Sequence, residues 1–471
     1  MGAKERLYVD LMALSPEVTG SCNLVIVKYP NGETTRFVVD CGMFQEREYA
    51  DYNKDFPFDA EKIEFCIVTH NHVDHTGRLP LLVKEGFKNK ILLTEQTGTL
   101  LPLALYDSYK VVKDLAKRNH VQELYSEANV SETLTLLKTC TFEQTEYVDK
   151  HIKVTFFKNG HLIGAALVLI QISFPECEDI NLLFTGDYNN KNMFFNIEDL
   201  PEWIYDLPLT IVQESTYGKI DSTDKVECFE KNVKNCIDHK GTAVCMAFSL
   251  GRFQEVLYLI KSMQDRKVLD EDVKIYADGT LAIRYTNLYL KADLGLKEEM
   301  QDFLPENLIF VDKNTRDEVL DSTERKIIVT TSGMGSYGPA QTYIPEYISR
   351  ENALIQFTGY TAEGTLGEKL KSAEKGDTVT IGGVVLVKCA DVEYTTELSA
   401  HAKADEMIEF LRKFRNLKLV LVNHGEFDSK EAFAERITLE LKPKRVALLG
   451  RDYFYRVGPF GLIRYLSTKF E

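Results

Sequence analysis

The stretch Thr69–Pro80, "THNHVDHTGRLP", follows the apolar run "FCIV" and sets His70-x-His72-x-Asp74-His75 within six residues, using three of the chain's nine histidines. A buried strand ending in such a cluster leaves few folds open. Imidazoles and a carboxylate crowd together when a cation gathers them. Neutral imidazole with carboxylate is a donor set of zinc, at about 2.0–2.2 Å. Alternate residues of an extended segment face the same way, so His70 and His72 can approach one ion together. Asp74 and His75 lie where the chain turns and can face a second ion. The competing reading is a polar loop with solvated histidines, which suits a lone histidine better than four ligand-type residues after a buried strand.

Four ligand-type residues are too few for two ions, so the remaining donors are expected from elsewhere in the chain, again at the ends of strands. "FFKNGHLIGAA" offers His161 just after a strand, and "NLLFTGDYNN" offers Asp187 after an apolar strand and Gly186. A carboxylate there can bridge two ions. Taken singly, each also reads as a turn histidine or a strand-end aspartate. The surroundings supply strands: "RLYVDLMAL", "NLVIVKY", "TTRFVVDCG", "ALVLIQISF", "INLLFTGD" and "LTIVQES" are short, rich in β-branched residues and punctuated by turns. From about Lys219, helical and strand patterns alternate, which implies βαβ units and a parallel sheet with covered faces. "LKLVLVNHG" and "RVALLG" close the chain with further candidate ligands, so this end is expected to rejoin the first segment.

At 471 residues the chain exceeds what one hydrophobic core usually serves, and two domains are expected. No stretch approaches the roughly 18 apolar residues of a membrane span. The opening "MGAKERLYVDLMALS" turns polar too soon for a secretory signal. The nine cysteines are scattered without a CxxC pair, which points to reduced thiols and a cytoplasmic setting. The net charge of −16 excludes a wide basic face coating nucleic acid. It leaves room for a nucleic-acid enzyme whose positive charge is local, since bound divalent cations would add charge inside one cleft.

The ordered set of Asp40 in "FVVDCG", the His70–His75 cluster, His161 and Asp187 resembles the metallo-β-lactamase superfamily. "IVQESTYG" with Glu214, "LSAHA" with His401 and "LVNHGE" with His424 resemble the motifs of its β-CASP family. The likeness is to bacterial and archaeal ribonucleases related to the endonuclease subunit of the eukaryotic mRNA 3′-end cleavage complex, and it spans nearly the whole chain. It implies an α/β fold: a metallo-β-lactamase αββα sandwich from residues 1–218 and 392–471, the latter an RNA-specificity segment. A β-CASP domain, a parallel sheet with helices on both faces, is inserted at 219–391 as a lid over a metal cleft. It further implies two Zn2+ per chain. His70, His72 and His161 would hold one and Asp74, His75 and His424 the other, with Asp187 bridging and Asp40 orienting a ligating histidine from behind. Two such ions about 3.5–4 Å apart can share a hydroxide formed at neutral pH. His401 would donate a proton to the leaving 3′-oxygen, and Glu214 would keep it protonated and aimed. A histidine at the position of His424 goes, in the family, with RNA rather than DNA. The family often has an aspartate directly after "SAHA"; Lys403 intervenes here, read as a surface-loop change.

For the polymer, "AFSLGRFQE" sets Ser249, Gly251 and Arg252 at a strand-to-helix turn where backbone N–H groups favour phosphate. "TTSGMGSYGPA", with Ser332, Gly333, Gly335 and Ser336, and "FTGYTAEGTLG", with Thr361 and Gly364, are glycine-rich turns of the same kind. Three such turns after parallel strands gather on one sheet edge, which the resemblance turns toward the metals. Tyr217, Tyr337 and Tyr360 are stacking candidates for bases, and equally packing residues. The expectation is a zinc-dependent nuclease on single-stranded RNA, an endonuclease before an exonuclease. The rival readings are a nuclease for single-stranded DNA, a small-molecule metallo-hydrolase, which would not need the inserted domain, and an inactive scaffold paralogue, which the complete ligand set argues against. No membrane partner is expected, and a homodimer stays open.

Overall fold

The computed structural model describes residues 6–15, 17–222, 228–239, 241–359, 361, 364–395, 398–458 and 463–466. Two compact units divide the chain. One comprises Met1–Asn192, Ile197–Ser222 and His401–Glu471; the other Met193–Asn196 and Thr223–Ala400.

The first unit stacks two sheets. Among the described residues, one has eight strands in the order Ile463–Leu466, Tyr453–Val457, Tyr8–Ala13, Asn23–Lys28, Thr34–Val39, Phe65–Ile67, Lys90–Thr94, Leu137–Cys140. The other runs Arg445–Leu448, Leu417–Val422, Leu209–Gln213, Ile180–Phe184, Ala166–Ile172, Ile152–Lys158, Thr145–Tyr147. The two-residue period of a strand assigns each side chain to a layer. Val9 and Leu11 of one sheet meet Val168, Ile170 and Leu182 of the other in a shared core, whereas Met12 and Val38 face outward. That outer face is covered by Leu79–Lys84, Glu95–Asn119 and Glu127–Thr135. The second sheet's outer face lies under Glu202–Asp206, Ala404–Arg412 and Phe427–Glu440. Burial on both faces explains the near-continuous apolar runs, each fully buried Val, Leu or Ile contributing about 1.5–3 kcal/mol over exposure. The result is a helix–sheet–sheet–helix sandwich, with the C-terminal residues rejoining the N-terminal ones.

Strand direction positions the site. Thr34–Val39 runs parallel to Phe65–Ile67, so Asp40 and the Thr69–His75 segment leave the first sheet side by side. Ile180–Phe184, Leu209–Gln213 and Leu417–Val422 are parallel neighbours in the second sheet. Their next residues carry Asp187, Glu214 and His424.

The second unit holds six parallel strands among the described residues, ordered Leu308–Val311, Lys274–Asp278, Lys326–Thr330, Thr242–Met246, Ala353–Phe357, Asp391–Tyr394. Val244, Met246, Ile328 and Ile355 pack with Ala340–Tyr347 on one face. Ala243, Cys245, Ile275 and Ile327 are buried on the other, where Cys228–Asp238 and Arg252–Asp265 pack. This unit extends to Ala400, past 391, because Asp391–Tyr394 pairs with Ala353–Phe357. No described helix is long and apolar enough to cross a membrane.

Candidate metal centre

His70 and His72 lie on the extended segment after Phe65–Ile67, and Asp74 and His75 on the single helical turn Val73–Thr76. That turn is docked on residues 41–43 by Cys41 N–H donating to His75 O (2.8 Å) and Met43 N–H to Val73 O (3.0 Å). Only glycine fits at position 42: a Cβ there would lie 1.5 Å from the Asp74 carbonyl oxygen. Gly186, at φ +55°, turns the chain so that Asp187 faces the histidines.

The ligand atoms form two groups. In the first, His70 Nε2 and His161 Nε2 lie 3.2 and 3.0 Å from His72 Nδ1, and 3.5 and 3.6 Å from Asp187 Oδ2. In the second, His75 Nε2 and His424 Nε2 lie 3.3 Å apart, each 3.2 Å from Asp187 Oδ1 and 3.9 and 3.8 Å from Asp74 Oδ2. Tetrahedral ligands about 2.1 Å from zinc are about 3.4 Å apart, the range of most of these separations. Asp187 Oδ1 is buried and accepts no well-formed hydrogen bond, costly for a carboxylate unless a cation meets it. The donor set and its spacing therefore fit two metal ions with Asp187 offering one oxygen to each.

Residues behind the ligands fix their aim. Asp40, at φ +64°, accepts from Thr69 N (2.8 Å) and Thr69 Oγ1 and contacts His75 Nδ1 at 2.8 Å, leaving Nε2 for the centre. Thr216 Oγ1 meets His424 Nδ1 at 3.2 Å. Asn159 ties two ligand loops together. Its Nδ2 donates to Asp187 O (2.7 Å) and Thr185 O (2.9 Å), and its Oδ1 accepts from His161 N (2.8 Å). Nothing in the sequence marks Thr69 or Thr216 for these contacts, and the one signal for Asn159 is its place two residues before His161.

Burial, with His75 adding to it, holds His70 well below the usual imidazole pKa, and burial also lowers His72. Burial alone would raise Asp187, but His424, His75 and His70 hold it well below the carboxylate range. Both ligand types are thus biased to their metal-binding forms. His75 is the exception: burial opposes its charge, yet Asp187 and Asp40 outweigh it and raise its pKa.

His401 stands beside the first group, Nε2 3.9 Å from Asp187 Oδ2. Its Nδ1 meets Glu214 Oε1 at 2.9 Å. Glu214 is itself fixed by Tyr188 N (2.6 Å) and Thr216 N (3.0 Å). Burial disfavours the imidazolium, but Glu214, with Asp187 and Asp74, outweighs it and raises the pKa of His401.

At three places the structure departs from the sequence reading or decides between its alternatives. Lys403 is not a surface residue: it is 7% exposed, because its chain packs on Tyr217. Tyr217, 5% exposed, is likewise packed, not open for stacking. At the turn before Arg252–Asp265 the phosphate donors are spent internally. Gly251 N–H donates to Gln254 Oε1 (2.8 Å), and buried Arg252 pairs with Glu255 (2.5 Å). Ser249 is half-buried there. The turns with Ser332, Gly333, Gly335 and Ser336, and with Thr361 and Gly364, do emerge beside it, after strands flanking Thr242–Met246. They interlock: Leu366 N–H donates to Ser336 Oγ (3.1 Å) and Gly367 N–H to Met334 O (2.9 Å). Tyr337 is 71% exposed, and Tyr360 lies outside the described residues.

Three family models match the chain. Residues 18–169 match the metallo-beta-lactamase superfamily, 253–370 the Beta-Casp domain, and 384–448 the Zn-dependent metallo-hydrolase RNA specificity domain. Similar proteins include transcription termination factor FttA of Methanosarcina mazei, 28% identical over 92% of this chain and 69% of its own length. Ribonuclease TTHA0252 of Thermus thermophilus is 27% identical over 92% and 96% respectively. Cleavage and polyadenylation specificity factor subunit 3-II of Arabidopsis thaliana is 28% identical over 92% and 70%.

Proposed function

We propose that this chain, which belongs to the β-CASP family of the metallo-β-lactamase superfamily and is a metal-dependent hydrolase, uses two zinc ions to cut single-stranded RNA internally. The observation that carries the reading is Asp187, with one carboxylate oxygen turned to each of two histidine-rich groups and His401 beside them. The RNA-specificity match over 384–448, which contains His401 and His424, and relatives named as a ribonuclease and a cleavage and polyadenylation specificity factor subunit favour RNA over DNA.

His70, His72, His161 and Asp187 Oδ2 would hold one ion, and Asp74, His75, His424 and Asp187 Oδ1 the other. Bound there, the ions would supply Lewis acidity at a phosphate oxygen and lower the pKa of water. The chain's own residues do the rest. Asp40 and Thr216 hold the Nδ1 side of His75 and His424, so both rings present Nε2. Glu214 holds Nδ1 of His401, so Nε2–H faces the site and passes its proton to the leaving 3′-oxygen, and Glu214 stabilises the imidazolium until then. The second unit would hold the strand, with the turn at half-buried Ser336 and exposed Tyr337 and the one at Thr361 and Gly364 as its contacts.

The test is metal analysis together with cleavage of matched RNA and DNA oligonucleotides labelled at either end. Two zinc per chain and internal RNA fragments that vanish on chelation are expected. Mononucleotide release would replace the endonuclease reading, and equal DNA cleavage the RNA reading.

A further inference from the structure

The residue after "SAHA" is a lysine whose placement the proton-donor reading leaves unused. Lys403 caps the helix Ala404–Arg412, with its N–H donating to Glu406 Oε2 (2.9 Å) and its O accepting from Met407 N (2.9 Å). A lysine there would ordinarily reach into water. Here it is 7% exposed, and Nζ lies 3.6 Å from the centre of the Tyr217 ring, itself 5% exposed. A desolvated ammonium over an aromatic face is the strong form of this contact. The same ring meets His401 edge-on, centroids 6.0 Å apart and planes at 79°, within the range of an aromatic pair. Two backbone bonds flank the contact: Ala402 N–H donates to Tyr188 O (2.7 Å) and Ala404 N–H to Ile220 O (2.9 Å).

We propose that Lys403 is a positioning residue: by clamping Tyr217, it fixes the 401–404 segment so that His401 keeps Nδ1 on Glu214 and Nε2 toward the centre. This rests on the reading of His401 as proton donor. The tether is mechanical as well as electrostatic. Tyr217 is held by its own segment, where Gly218 N–H donates to Ser429 Oγ (2.9 Å) and Ile220 N–H to Tyr217 O (3.0 Å). Lys403 therefore grips a fixed ring, and without the ammonium only the edge-on ring contact is left to hold the histidine two residues away against that ring. On the reading above the strand would be held by the second unit, so the effect belongs in kcat and not in KM.

The experiment is steady-state RNA cleavage by the full-length, metal-loaded protein. Lys403→Met and Tyr217→Leu should each lower kcat roughly tenfold, with KM and metal content unchanged. Lys403→Arg and Tyr217→Phe, which keep the cation and the ring, should stay within about twofold of the parent. In a His401→Ala background, Lys403→Met should change nothing further. If Lys403→Met fails to fold, Tyr217→Leu against Tyr217→Phe makes the same comparison. A parental kcat in Lys403→Met, no rescue by arginine, or the same loss in the His401→Ala background overturns the clamp. Parental activity in His401→Ala overturns the proton-donor reading, and the clamp with it. A slow His401→Ala beside a fast Lys403→Met removes the clamp alone.

Discussion

Gly42→Ala should strip the second metal group while leaving the fold standing. The added Cβ would sit 1.5 Å from Asp74 O, 2.1 Å from Asp74 C and 2.7 Å from His75 N. Carbon needs about 3.5 Å from such atoms, so the turn Val73–Thr76 must retreat by roughly 2 Å. The opposite wall cannot yield easily, because Gly42 N–H donates to Ser21 O (2.8 Å) and Gly42 O accepts from buried Arg78 Nε (2.5 Å). Ligands must be held within about 0.5 Å of their working geometry. A shift of that size takes Asp74 and His75 from the centre but leaves His70, His72 and His161 in place. Overpacking of this kind costs about 1–3 kcal/mol, small beside the effect on chemistry, where even 1 Å costs about a hundredfold. The expected protein melts a few degrees lower, carries one zinc per chain by elemental analysis and cleaves RNA at least about a hundredfold more slowly. Gly32→Ala is the control: its φ is also positive, +84°, but nothing lies within 4 Å, so both metals should stay. Two zinc per chain and parental cleavage in Gly42→Ala would refute the claim that this close approach holds the ligands.

Asp40→Asn should weaken the second metal about 10–100-fold, since an amide cannot satisfy both Thr69 and the Nδ1–H of His75; competition with a zinc chelator reads it. His401→Ala and Glu214→Gln should each lower kcat by about 10²–10⁴ with zinc content unchanged, because neither belongs to the two ligand groups; zinc loss in either would move that residue into the ligand shell. Lys326 in the second unit, its ammonium donating to Val319 O and Ser322 O (2.5 Å each), is pushed down to about 8 from 10.5 by burial. Above pH 8 the folded chain has released a proton that the unfolded chain still binds, so stability should rise from pH 8 toward 10.5. Denaturant titrations should show this rise in the parent and less of it in Lys326→Met; parallel curves would remove the buried-amine account.

Some of the centre is legible in sequence because its chemistry is local. His70-x-His72 needs only an extended backbone, and the strand before it announces itself by apolar continuity. The helix Glu127–Thr135 and the strand Lys90–Thr94 are not legible in sequence, since the helix is short and mostly polar and the strand runs straight into the helix Glu95–Asn119 without a glycine or proline between them. Asn159 is the sharper case. An asparagine before a glycine is ordinary turn chemistry, and nothing nearby says that its amide reaches Asp187 and Thr185. Arg252 errs the other way: its position at a helix start invites a phosphate, but Glu255, one turn on, already occupies it. Ligands follow from residue type and strand ends, whereas whether a charge is free depends on partners that only the fold assembles.

Lys403 carries this further, because no local rule separates a solvated lysine from a buried one at a helix cap. What decides is Tyr217, brought to it when Leu209–Gln213 pairs with Leu417–Val422 and both strands deliver their following residues to one edge. The same pairing brings Glu214 and His424 to the centre. On the proposed reading, one parallel strand pair therefore sets a metal ligand, the partner of the proton donor and the ring that Lys403 grips. A disturbance of its register would move all three together: slipping by one residue turns every side chain to the opposite face. The bulge at Leu209 and Thr210 lies at the far end of the pair, where a local irregularity leaves the catalytic edge in register.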